Sequence, residues 1–179
     1  IAVTSGKGGT GKTSITGGVA ASLALMGHTV LCIDMDIGLR NLDITLGLSD
    51  RALMDFSDVA LGRCPLARGA VDHPDVKGLS LLTAPMSLSP SLTIDKVRAM
   101  LDTARGQYDY ILIDSPAGLG AGFRLAICGA DRALVIATNQ FCIKLAPIIE
   151  LNTDFLCVIN HMVVGQHIAF TGVDEETGG

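Results

Sequence analysis

Residues 6–14 have the sequence Gly6-Lys7-Gly8-Gly9-Thr10-Gly11-Lys12-Thr13-Ser14. They follow a short apolar run and precede a segment, residues 14–26, that we expect to be helical. Glycines here let backbone N–H groups approach phosphate oxygens, and the following helix adds the positive end of its dipole. The spacing satisfies the pattern G-x-x-x-x-G-K-S/T, which is typical of a phosphate-binding loop, or P-loop. We therefore predict that residues 6–14 bind a nucleotide.

Two side chains of the P-loop have predicted chemical roles. The Lys12 ammonium is expected to reach the β- and γ-phosphates, and the Thr13 hydroxyl is expected to ligate Mg²⁺. Both roles depend on the loop standing between a strand and a helix, because that context confirms the motif.

Two apolar runs end in carboxylates. Residues 30–36 end in Asp34 and Asp36, and residues 110–114 end in Asp114. Such runs are typical of buried parallel strands, and ligands bind beyond the carboxyl ends of such strands. We therefore expect the three acids to lie beside the phosphates. A single Asp after an apolar run, as at Asp114, is the Walker-B arrangement, in which the Asp holds a Mg²⁺-bound water.

Three stretches together resemble the MinD/ParA class of deviant Walker A P-loop ATPases. Residues 7–14 resemble that class's pattern K-G-G-x-G-K-S/T-S/T. Residues 34–43 resemble the switch I segment of the MinD branch, D-x-D-x-G-L-R-N-L-D, more than the D-x-D-P-Q-G-N pattern of ParA. Residues 114–118 match the MinD-like switch II, D-S-P-A-G. The resemblance implies an α/β fold with a mostly parallel central sheet and helices on both faces.

The resemblance also implies roles for individual residues. Lys7 would cross a dimer interface to the partner's ATP and act there in catalysis, while Asp36 would orient the attacking water. Asp34 would support Mg²⁺ through water. Asn41 would lie near the nucleotide at the dimer interface, and Gly118 would let switch II respond to the γ-phosphate.

The resemblance thins after about residue 138. Residues 156–160 are similar to a late strand of the family whose final Asn contacts adenine, which makes Asn160 a candidate adenine contact. A turn residue at a strand end is the alternative for Asn160. His161 stands where the family usually has Arg, so the adenine contacts stay open. Residues 173–179 are acidic and glycine-ended, unlike the membrane-binding amphipathic helix of the family.

Composition limits the class of protein. The 179 residues are 49% apolar with a net charge of −5, which fits a sheet buried on both faces and disfavours a nucleic-acid partner. The five cysteines form no C-x-x-C pair, which predicts free thiols in a reducing compartment. We expect residues 1–179 to form a single P-loop ATPase domain that lacks the usual C-terminal elements of the family. Because the chain begins inside a strand without Met, we also expect residues before Ile1.

Other elements follow from local patterns. Small residues at Gly17 and Gly18 are expected to permit close packing of the first helix on the sheet. The patterns predict a short helix over 52–61, a strand over 79–83, an amphipathic helix over 93–105 capped by Thr93 and Gly106, and a strand over 133–137.

The resemblance implies a cytoplasmic ATPase switch that uses ATP and Mg²⁺ and regulates placement of the division septum. It implies a homodimer when ATP is bound, division-site regulators resembling MinC and MinE as partners, and contact with the inner face of the cell membrane through elements absent from this chain.

Three alternatives stay open. One is a ParA-like ATPase that partitions DNA or other cargo, and another is a nucleotide-gated adaptor that does not hydrolyse ATP. The third is an iron–sulfur carrier built on the same P-loop, for which Cys128 is the nearest candidate ligand.

Overall fold

The structure is a computed structural model that describes residues 1–118, 120–137 and 154–159. The strands are β1 (Ala2–Thr4), β2 (Val30–Asp34), β3 (Val71–Asp72), β4 (Leu79–Leu82), β5 (Tyr110–Asp114), β6 (Arg132–Ala137) and β7 (Asp154–Ile159). The helices are α1 (Lys12–Leu25), α2 (Asn41–Thr45), α3 (Phe56–Ala60), α4 (Leu66–Gly69), α5 (Ile94–Arg105) and α6 (Ala121–Ile127).

The seven strands form one sheet in the order β3-β4-β2-β5-β1-β6-β7. Every neighbouring pair is parallel except β3 and β4, because the outermost strand β3 runs antiparallel to β4. The expected mostly parallel sheet is confirmed. The carboxyl ends of the parallel strands consequently share one edge of the sheet.

Side chains of β2 alternate between two cores. Leu31 and Ile33 belong to a core that contains residues of α3, α4, α5 and α6. Val30 and Cys32 belong to a second core with residues of α1 and α2. Because successive side chains of a strand point to opposite faces, the two cores lie on opposite faces of the sheet. Helices therefore cover both faces, as expected.

Local capping sets the ends of the predicted helices. The Thr93 hydroxyl accepts a hydrogen bond from the Lys96 N–H, which begins α5 as expected. The helix predicted over 52–61 is shorter, because Asp55 caps it in a reciprocal capping box with Asp58.

Helix α1 begins two residues earlier than expected, because the left-handed turn at Gly11 leads directly into it. The packing role expected for its glycines also differs. A Cβ on Gly17 would lie 3.0 Å from Cγ2 of Thr45 and 3.4 Å from Cδ2 of Leu46. Gly17 therefore permits contact between α1 and α2 rather than between α1 and the sheet, and Gly18 faces open space.

Cys32, Cys64 and Cys128 are free thiols, and Cys32 is fully buried. The strand expected before Asn160 is present as β7, whereas Asn160, His161, the acidic tail and Cys142 lie outside the described residues. Among the described helices, none combines the length and apolar character required to cross a membrane.

Candidate nucleotide-binding site

The strand order brings the predicted site residues to one place. β5 lies between β2 and β1, with Asp34 opposite Asp114 and Val3 also opposite Asp114. The loop that leaves β1 is the P-loop, and switch I (residues 34–43) begins at the end of β2. The P-loop, switch I and switch II (residues 114–118) therefore meet at the same sheet edge, where α/β proteins bind ligands.

The backbone of the P-loop has the form that phosphate binding requires. Gly9 and Gly11 have φ of 73° and 86°, a region that side chains disfavour. Gly11 is the N-cap of α1, and no acidic residue lies in the first turn of that helix. The positive end of the helix dipole thus faces the loop unneutralised, which favours an anion there.

Lys12 is buried, with 8% of its surface exposed. Its Nζ donates a hydrogen bond to Oγ of Ser5 at 3.0 Å, and that hydroxyl donates to the carbonyl of Lys7 at 2.7 Å. The Thr10 hydroxyl donates to the same carbonyl at 3.5 Å. These bonds hold the loop around the Lys12 ammonium.

Asp114 is 1% exposed and receives hydroxyl donors from α1. Oγ1 of Thr16 lies 3.3 Å from its Oδ1. Burial raises the pKa of Asp114, while a hydrogen bond from Thr13 and the charge of Lys12 oppose that rise. The structure thus places Thr13 beside Asp114, the two residues predicted to serve Mg²⁺.

Asp34 is fully buried and is engaged by switch I itself. Its Oδ1 accepts the Asp36 N–H at 2.8 Å, and its Oδ2 accepts the Leu42 N–H at 3.1 Å. Burial raises the pKa of Asp34 to about 7, the two amide bonds lower it, and the charges of Asp114 and Asp36 raise it further. Its carboxyl group therefore contacts the switch I backbone at two points, and its support of Mg²⁺ through water stays a prediction.

Asp36 is half-buried at the mouth of the site. Burial raises the pKa of its carboxyl, and the charge of Lys12 lowers it. Asp36 and Lys12 therefore interact across the space where the phosphates are predicted to lie.

Within residues 1–118, 120–137 and 154–159, no group of three or more His, Cys, Asp and Glu side chains is placed to hold a metal ion. Mg²⁺ does not need such a group, because it keeps several waters and binds through one or two protein groups together with substrate phosphates. Thr13 and Asp114 are the donors that fit such a site.

The remaining predicted residues lie around this centre. Lys7, Ser14 and Asn41 are exposed, and Gly118 has φ of 86° within switch II. A Cβ on Gly8 would lie 3.9 Å from that of Ala117, so the P-loop and switch II are neighbours.

Three positioning residues were not predicted from the sequence. They are Ser5 and Thr16, which hold Lys12 and Asp114, and Arg40, whose Nε donates to Oγ1 of Thr83 at 3.1 Å. Thr16 has a sequence signal, because it lies one helical turn after Lys12 on the same face of α1. The other two depend on contacts that spacing along the chain does not reveal.

Comparison with known proteins agrees with this geometry. A family model described as an AAA domain matches residues 1–153. The septum site-determining protein MinD of Helicobacter pylori is 45% identical over 141 residues, which cover 78% of this chain and 53% of that protein. MinD of Thermotoga maritima is 43% identical over 141 residues, which cover 78% of this chain and 52% of that protein.

Solved structures give the same result. The MinC:MinD cell division protein complex of Aquifex aeolicus matches with a TM-score of 0.74 and 36% identity, over 87% of this chain and 66% of that chain. MinD of Pyrococcus horikoshii in complex with Mg-ADP matches with a TM-score of 0.72 and 26% identity, over 86% of this chain and 67% of that chain. The chain spans about half the length of the MinD sequences that it matches. The chain belongs to the AAA-domain family and, within it, to the MinD/ParA class of P-loop proteins.

Proposed function

We propose that this chain is the nucleotide-binding part of an ATPase switch that uses Mg-ATP, dimerises and regulates placement of the division septum. One observation carries the proposal: the glycine turn at Gly9 and Gly11 leads into an α1 N-terminus with no acidic residue in its first turn, and Lys12 is buried there. A buried ammonium at an uncapped helix N-terminus suits a phosphate group, and Asp36 and Asp114, whose pKa values the charge of Lys12 lowers, lie near enough to serve water and Mg²⁺.

In this proposal each group of the site has a separate role in ATP hydrolysis. Backbone N–H groups of residues 8–13 bind the phosphate oxygens, and Lys12 stabilises the charge that develops during transfer. Thr13 and Asp114 would hold Mg²⁺, which neutralises phosphate charge when it is bound. Asp36 accepts a hydrogen bond from the attacking water and orients it toward the γ-phosphate.

The second subunit completes the site in this proposal. Lys7 is exposed at the mouth of the P-loop, and Asn41 is exposed at the start of α2. An exposed lysine at this position can reach a nucleotide held by a facing copy and stabilise transition-state charge in trans, as an arginine finger does. Dimerisation would therefore depend on ATP, and turnover would be slow without a stimulating partner.

The proposal extends to partners and location. The similar Aquifex aeolicus structure is a complex of MinC with MinD, which supports a partner that resembles MinC for this chain. The resemblance to the MinD branch further implies a regulator that resembles MinE and a cytoplasmic location with contact at the inner face of the cell membrane.

Light scattering tests the proposal directly. We expect a monomer with Mg-ADP and a doubling of molar mass with Mg-ATP. The dimer should persist longest in Asp36→Ala, because that variant binds ATP without orienting water. Phosphate release should be measured on the same samples.

A pair of exposed lysines provides the control. Lys7→Ala should bind ATP and stay monomeric, whereas Lys77→Ala, at the opposite edge of the sheet, should dimerise as the wild type does. If wild type and Asp36→Ala both bind ATP and remain monomeric, the trans role of Lys7 is wrong. The alternative hypothesis, a nucleotide-gated adaptor that does not hydrolyse ATP, then gains support.

A further inference from the structure

We propose that Asp34 is the positioning residue of switch I: its carboxylate holds both ends of residues 36–42 and so sets the place of Asp36. The two amides that it accepts belong to Asp36 and Leu42, at distances of 2.8 Å and 3.1 Å. One buried side chain therefore closes a loop of seven residues. Only the effect on catalysis rests on the proposed function, because the two hydrogen bonds belong to the fold itself.

The Leu42 bond replaces a missing helix cap. The first N–H groups of a helix have no partner inside it, and a side chain at the N-cap position usually accepts one of them. In α2 the N-cap residue is Arg40, which makes no side-chain cap hydrogen bond. Asp34, eight residues earlier and in a different element, accepts the Leu42 N–H instead. The start of α2 is thus tied to the end of β2.

The rest of switch I is held from another direction. The Gly38 N–H donates to the carbonyl of Pro85 at 3.1 Å, and Arg40 Nε donates to the Thr83 hydroxyl at 3.1 Å. Both of these contacts lead to the segment after β4. Asp34 is the member of this set that bonds directly to Asp36, the residue proposed to orient water.

Burial makes the Asp34 bonds strong. Asp34 and Leu42 are both 0% exposed, so water cannot replace the hydrogen bond between them, whereas the Asp36 that donates the other bond is half-buried. A buried N–H that loses its partner bears the full cost of desolvation. Changing the carboxylate should therefore release the loop rather than merely weaken one contact.

Amide hydrogen exchange in Asp34→Asn tests the inference. Asn keeps the size of Asp but has one oxygen to accept with, so both amides cannot be satisfied. We expect exchange at Leu42 and Asp36 to become roughly tenfold faster or more. We expect kcat for ATP hydrolysis to fall by a similar factor, while the Kd for ATP and the half-saturating Mg²⁺ concentration change by less than about twofold.

A second variant removes the donor and leaves Asp34 intact. Replacing Leu42 by its α-hydroxy acid exchanges the N–H for an ester oxygen, keeps the side chain and weakens the Asn41 carbonyl as an acceptor, so it should lower kcat as Asp34→Asn does even if the latter folds poorly. Asp109→Asn is the matched control. The Asp109 carboxylate accepts bonds from the N–H and hydroxyl of Thr29 at the opposite sheet edge, and its loss should leave kcat unchanged.

The outcomes separate the two proposals. Unchanged exchange at Leu42 in Asp34→Asn overturns the positioning role. So does a shift in Mg²⁺ dependence with both amides still protected, because Asp34 would then act through the metal. If the wild type hydrolyses no ATP, the proposed function fails, while the exchange data still decide whether Asp34 holds switch I.

Discussion

Asp34, Asp36 and Asp114 each have a pKa above the ordinary range, and burial is the largest cause for each. The charge of Lys12 opposes the rise in pKa at Asp36 and Asp114, and two backbone N–H groups oppose it at Asp34. Asp34 is also the most buried of the three. Its proton is consequently the one most tightly linked to the folded state.

The pH dependence of stability follows from Asp34. The folded protein holds the Asp34 proton up to about pH 7, whereas the unfolded chain releases that proton near the ordinary Asp pKa of 3.8. Above that value the unfolded state binds fewer protons, so the contribution of Asp34 to stability is complete below about pH 4 and is lost as pH rises through 7. The free energy of unfolding of wild type should fall relative to Asp34→Asn, by on the order of 2 kcal/mol between pH 5 and 8.

Urea unfolding of both proteins in EDTA over this pH range measures the difference. Asp36 and Asp114 are present in both proteins, so their titrations cancel to first order. If the free energies of unfolding of the two proteins changed with pH in parallel, Asp34 would release its proton at the same pH in the folded and the unfolded protein.

Part of the site could be predicted residue by residue. The P-loop, Thr13 and Asp114 follow from local spacing, because a glycine turn and a strand-end acid are encoded by adjacent residues. The two amide bonds of Asp34 could not be predicted in this way. They depend on how switch I folds back on β2, and no periodic pattern records that path.

Contact between α1 and α2 links the helix behind the P-loop to the helix of switch I. Gly17 makes this contact possible, because its missing side chain leaves room for Thr45 and Leu46. Gly18, the next residue, faces outward with open space around it. Two neighbouring glycines of one helix therefore differ in role, because packing requires a glycine at position 17 and does not require one at position 18.

Gly17→Val and Gly18→Ala should have opposite effects. Valine at position 17 would overlap Thr45 and push α2 away, which should destabilise the protein by about 1–3 kcal/mol and slow ATP hydrolysis. Alanine at position 18 should raise the free energy of unfolding by up to about 1 kcal/mol, because Ala favours helix over Gly.

Chemical denaturation and phosphate release on the two variants check this pair. A Gly17→Val protein of wild-type stability would contradict the close approach of α1 and α2. Loss of stability in Gly18→Ala would show that residue 18 is packed rather than exposed.

The elements predicted correctly are those with strong local signals. The apolar runs of β2, β5 and β6 and the amphipathic pattern of α5 identify these elements within a few residues. The elements not predicted are α2, α4, α6 and β3. The helices have four to seven residues, too few to establish a period, and β3 is a two-residue strand that exists through its pairing with β4.

The phosphate site is formed by the P-loop, switch I and switch II, which come from separate parts of the chain. A bound nucleotide should therefore raise the free energy of unfolding of the whole molecule. Mg-ATP at a hundred times its Kd should add about 2.7 kcal/mol to the free energy of unfolding. For a protein of this size, that corresponds to a rise in Tm of roughly 5–10 °C.

Thermal unfolding with and without Mg-ATP measures the shift. Lys12→Met should show almost none, because it lacks the ammonium that binds phosphate, and Lys77→Met should show the full shift. An equal rise in all three proteins would indicate that ATP binds away from the P-loop.

The position of β1 has a consequence for how the protein is made. Its residue Ala2 pairs with Ile113 of β5 and Ala133 of β6, more than a hundred residues later in the chain. On a ribosome that adds about 5–20 residues per second, β1 waits several seconds or longer before either neighbour is synthesised. Until then the strand that precedes the P-loop has no neighbouring strand to pair with. The nascent chain acquires the ability to hold ATP only after β5 and β6 have been synthesised, so the nucleotide cannot assist the earlier steps of folding.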